Sequence, residues 1–164
     1  MNLLRRLGIP IVLQAAWFRS LAKLGIHVHP RDVELQARFH RQREIFESIR
    51  TMLCEDKHLV YLGQTRTKVI GEDRPRPPGN PGISIKRWDQ YRKLMREADI
   101  FAVSHVGDTI TMRVSTRGNS CKGIVYSPAH RVVMPSLECY PMPPEQHAHL
   151  ILDEPWHVYY GWDT

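Results

Sequence analysis

A chain of 164 residues, 42% hydrophobic and 24% charged, has the make-up of one folded domain, too small for two independent cores and too apolar to stay disordered. Its net charge of +6 is concentrated in residues 1–31, where Arg5, Arg6, Arg19, Lys23 and Arg31 meet no acid, so the remainder is nearly balanced. That balance argues against nucleic acid as a partner of the main body, because phosphate binding needs a concentrated basic surface.

Residues 1–30 form a segment of their own. The uncharged run Leu7 to Phe18 is too short to span a bilayer, which takes roughly 18 or more apolar residues. No small-x-small cleavage site follows it, as a secretory signal would require. On a helical wheel Leu4, Leu7, Ile11 and Phe18 share one face and Arg5, Arg19 and Lys23 lie away from it. The spacing therefore predicts a cationic amphipathic helix with Leu4, Leu7, Ile11 and Phe18 as candidate membrane contacts. Docking on the body and a degenerate export signal fit the same pattern.

His29-Pro30 ends this segment, since the residue before proline avoids the helical region. Asp32 is expected to cap a long second helix reaching about Glu55, with Leu35, Phe39, Phe46, Ile49 and Leu53 inward and Arg38, Arg41, Arg43, Glu44 and Glu47 in water. Leu59–Leu62 and Thr67–Ile70 read as a hairpin. Residues 72–82, with four prolines, are a connector. Ser84 then caps a third helix, in which Ile85, Trp88, Tyr91, Met95 and Ala98 form the apolar stripe and Lys86, Arg87, Arg92, Lys93 and Arg96 are solvated.

After Asp99 the period changes to two. Phe101 and Val103, then Ile110, Met112 and Val114, mark two strands joined by a tight turn at Gly107-Asp108. A second turn over Arg117–Ser120 leads into a strand from Lys122 to Ser127. A short strand is expected at Arg131–Met134, then a proline-rich connector over 135–146. The strand His147–Leu152 turns at Asp153–Pro155 into a last, aromatic strand with Trp156, Val158, Tyr160 and Trp162 on one face and His157 and Tyr159 on the other. The predicted fold is α+β, with residues 31–164 a single domain: three helices packed on an antiparallel sheet of about five to seven strands.

Motifs that carry chemistry are sparse. His147 and His149, two apart on a strand, share a face and can chelate one ion, with Asp153, Glu154 or His157 as a third ligand. Cys54, Cys121 and Cys139 lack the CxxC spacing of a zinc site and read as small apolar filler; a Cys121–Cys139 bridge is open to them in an oxidising compartment. No nucleophile elbow, P-loop or dinucleotide fingerprint occurs, so no cofactor is expected. The leading reading is a non-enzymatic binding or structural module whose contact surface lies at His157 and Tyr159, with a protein partner and residues 1–30 at a membrane. The competing readings are a small metal-dependent hydrolase using His147 and His149, and an inhibitor or immunity-type protein.

The segments ISIKRWDQYRKLMREADI, KGIVYSP and WHVYYGW together resemble a group of small bacterial proteins in which a helix, a glycine-containing hairpin, a KGYVYSP-like strand and an aromatic C-terminal strand follow one another. The resemblance covers residues 32–164. It implies an α+β fold, a bacterial source and an envelope location through a signal or lipoprotein anchor, with cytoplasmic residence as the alternative. It assigns no catalytic residue and no cofactor. Residues 1–30 depart from it, having no cysteine to be lipidated.

Overall fold

A computed structural model of the chain describes residues 29–117, 120–129, 133–134, 136–137 and 147–162. The elements run α1 (Asp32–Arg41), α2 (Arg43–Glu55), β1 (Leu59–Gly63), β2 (Thr67–Val69), α3 (Ile85–Glu97), β3 (Ala102–Val106), β4 (Thr109–Arg117), β5 (Ser120–Tyr126), β6 (His147–Asp153) and β7 (Trp156–Trp162). The strands form one sheet in the order β2-β1-β3-β4-β5-β7-β6, every neighbouring pair antiparallel. This is the expected α+β class, at the upper end of the expected strand number. The predicted helix carrying Leu4, Leu7, Ile11 and Phe18 lies outside the described residues.

The long second helix is two helices. The chain breaks at Gln42 (φ −117°, ψ 20°), and the reason is the Trp156 ring, which has to be covered from both sides of the break. On a continuous helix Phe39 and Phe46 would stand roughly 10 Å apart along the axis. The bend brings their centroids to 5.6 Å and places them 5.4 and 6.3 Å from that of Trp156. Asp32 is not the cap either. Arg31 holds that position, with the Glu34 carboxylate accepting from its amide at 3.0 Å, while Asp32 is the first helical residue and turns inward.

α3 starts as expected, Ser84 Oγ accepting from the Arg87 amide at 3.2 Å. Trp88, Tyr91, Met95 and Ala98 are buried, whereas Ile85 is 52% exposed. At 100° per residue Ile85 sits about 100° round the helix from the centre of that stripe, too far to join it. Arg87 is only partly solvated. It donates to Asp56 at 2.7 Å and to Met52 O at 3.1 Å, and Tyr91 donates to the same Asp56 carboxylate at 2.8 Å, which fastens α3 to the end of α2. Burial, and then that hydrogen bond, push the Tyr91 phenol well above its ordinary pKa.

Between helices and sheet the core gathers Leu53, Leu62, Val103, Ile110, Met112, Ile124 and Trp156. The opposite sheet face carries a smaller buried cluster of Cys121, Val125 and Tyr159. At Gly123 a Cβ would stand 2.1 Å from Met112 O on the paired strand, so the glycine of KGIVYSP is required by how closely β4 approaches β5. The strand expected at Arg131–Met134 is, where described, an isolated parallel bridge from Val133 to His149, with Met134 N donating to His149 O at 2.7 Å.

Candidate functional site

His157 and Tyr159 do not form a surface. Each is 4% exposed, because β7 is an interior strand between β5 and β6, not an edge; Tyr159 packs with Cys121 and Val125. His149, 6% exposed, stands opposite Tyr159, and its ring meets that of His157 edge-on with centroids 5.8 Å apart. The histidines that meet are thus His149 and His157; the His147 side chain lies outside the described residues. Among the described residues no group of three or more His, Cys, Asp or Glu is placed to hold a metal ion, and no helix is long and apolar enough to cross a membrane. Leu4, Leu7, Ile11, Phe18 and Cys139 also fall outside them.

Two charged clusters organise the helical side of the sheet. The first joins residues 29–32 to the start of β5. Lys122, 3% exposed, donates to Pro30 O at 2.8 Å and pairs with Asp32 Oδ1 at 2.7 Å, and the other Asp32 oxygen accepts from Leu137 N at 2.7 Å and Ser136 Oγ at 2.9 Å. Beside it the His29 ring lies between Ser115 Oγ (3.0 Å) and Ser120 Oγ (2.8 Å) and stands edge-on to Tyr160. Since the Ser120 hydroxyl donates to Arg117 O, its oxygen is left to accept from His29 Nε2–H. Burial, followed by the charges of Lys122 and Arg117, lowers the His29 pKa to about 4, so the ring is neutral at physiological pH.

The second cluster lies beside the end of β5 that carries Tyr126. There a groove of about 620 Å³ opens between α2 and the β3–β4 turn, within the range of small-ligand and peptide side-chain sites. One wall is a stripe of α2 and its exit: Arg50, Cys54 and Lys57, at steps of four and three. The other is Val106-Gly107-Asp108, a tight turn that Gly107 allows with its positive φ of 58°. Ile110 and Tyr126 form the floor, and two large aliphatics stand out at the mouth, Ile70 at 66% and Val106 at 73% exposed. Cys54, expected to be filler, is exposed on the α2 wall.

Arg50 is held from two directions. Its Nε donates to Glu47 Oε2 at 2.8 Å and its guanidinium lies over the Tyr126 ring at 5.0 Å, while Glu47 Oε1 accepts from Trp156 Nε1 at 2.9 Å. The Glu47 hydrogen bond raises the Arg50 pKa. Both terminal NH2 groups of Arg50 are without a hydrogen-bond partner among the described residues, and Lys57 has no ion pair there. The stripe Glu47, Arg50, Cys54, Lys57 was present in the sequence at helical spacing beside Phe46, Ile49 and Leu53. Nothing in that spacing shows which strands lie across from it. No family model, curated protein or solved structure matches the chain.

Proposed function

We propose that the protein is a non-enzymatic binding module that grips a peptide segment of a protein partner in the groove between α2 and the β3–β4 turn. The carrying observation is that Ile70 and Val106, both large, aliphatic and mostly in water, line one trough whose α2 wall holds Arg50 and Lys57. Exposed apolar side chains flanking a concave, partly polar surface are the usual mark of a recognition site. An inhibitor or immunity-type protein is one form such a module takes. The acid-free segment of residues 1–31, with five basic residues, supports placing the module at an anionic membrane surface. Cell fractionation with and without residues 1–30 tests that placement: a chain equally soluble in both forms overturns it.

The groove is tested by selecting binders from a displayed random peptide library on the intact chain, with the Cys54 thiol as reporter. Peptides seated in the groove shield Cys54 from maleimide, read at that residue by mass spectrometry, and lose binding to the Val106→Arg variant. Binders that leave Cys54 reactive and tolerate Val106→Arg overturn the reading, as does a selection that yields none.

A further inference from the structure

The Arg50 guanidinium points to the chemistry of the partner. Resting on the groove reading, we infer that Arg50 is the specificity-determining residue and that the segment it receives is acidic, presenting a carboxylate to the two terminal NH2 groups of the guanidinium. Three observations combine. The Nε–H is consumed by Glu47 at 2.8 Å, and Glu47 is itself fixed by Trp156 Nε1 at 2.9 Å, so the guanidinium plane is set by a relay that starts in the core. Its face rests on Tyr126 at 5.0 Å, which removes much of the rotamer freedom an arginine normally loses on binding. The terminal NH2 groups, the edge that fits a carboxylate bidentately, are left over in a residue that lines the groove.

The rest of the trough sets the partner's charge and shape. Lys57 adds a second cation on the same wall, one with no ion pair among the described residues, and Asp108 on the opposite wall repels a ligand acid that strays from α2. A carboxylate suits this set better than a phosphate: one guanidinium edge and one lysine match a single negative charge with two oxygens, whereas a phosphoryl group of nearly −2 charge with three acceptor oxygens calls for more donors. Against the exposed Ile70 and Val106 the same segment would carry an apolar side chain next to its acid.

Peptides selected on the intact chain, and shown by Cys54 protection to occupy the groove, are therefore expected to be enriched in Asp or Glu beside an aliphatic or aromatic residue. Arg50→Lys, which keeps the charge and loses the planar edge, should weaken the best of them roughly tenfold, and Arg50→Met more. Lys57→Met, on an exposed position, should cost a smaller factor that fades with added salt. Amidating the peptide's acid should erase the difference between wild type and Arg50→Met. Groove-bound peptides without acids, or affinities equal in wild type and Arg50→Met, overturn this inference and leave the groove reading intact. Tighter binding by a phosphorylated peptide than by its carboxylate counterpart overturns the choice of carboxylate.

Discussion

The two ends of β5 treat a cation in opposite ways. At its start Lys122 is enclosed, and its ammonium serves Asp32 and Pro30 O, groups of the same chain that hold residues 29–32 against the sheet. At its end Tyr126 supports Arg50, which is held through Nε and ring face but keeps its terminal donors. A charge whose donors meet groups of its own chain is a fastening. One that is immobilised with donors to spare is prepared for something from outside, since the ordering cost of binding is met in advance.

The largest effect belongs to Lys122. Replacing it with Met leaves the buried Asp32 carboxylate without its cation, a change that typically costs about 3–5 kcal/mol. Urea unfolding of Lys122→Met should show that loss, and Asp32→Asn combined with Lys122→Met should recover much of it, because the orphaned charge is then gone as well. A single variant within about 1 kcal/mol of wild type would show that the junction is not a fastening.

The architecture was legible in the sequence wherever a period ran long enough. The change from the Trp88–Tyr91–Met95–Ala98 stripe to alternation after Asp99 gave α3 and the β3–β4 hairpin, and the parity of Trp156 against His157 gave the two faces of β7. Tertiary demands escaped local reading. The break at Gln42 exists because Phe39 and Phe46 must reach one ring, and the burial of His157 and Tyr159 follows from the position of β7 inside the sheet. Sequence order says nothing of that. The groove was illegible for the same reason: Arg50 and Tyr126 are 76 positions apart, and nothing near either announces the other.

Beside Lys122, His29 is expected to make stability depend on pH. Its pKa is about 4 in the fold against 6.5 for an ordinary histidine, so the unfolded chain binds the proton more readily. Stability from this source is complete above pH 6.5, declines as pH falls through 6.5 toward 4, and is wholly lost below that, a change of about 3 kcal/mol. Denaturant midpoints of wild type and His29→Asn measured from pH 7 to pH 4 should converge toward acid. Parallel curves would place the His29 ring in solvent, not between Ser115 and Ser120.

The smallest effect on stability is the most telling. Arg50→Met removes a partly exposed i,i+3 contact with Glu47 and a cation over Tyr126, but keeps a stem of similar length whose thioether also favours an aromatic ring. Glu47 still accepts from Trp156, so no buried acceptor is abandoned. The net cost should be about 1 kcal/mol or less by denaturant titration. Lys122→Met and Arg50→Met thus differ in sense as well as size: the former should unfold the protein more easily without touching groove affinity, the latter should spare the fold and weaken an acidic peptide. If Arg50→Met instead destabilises by as much as Lys122→Met, Arg50 is a second fastening, and its terminal NH2 groups have no outside partner to explain them.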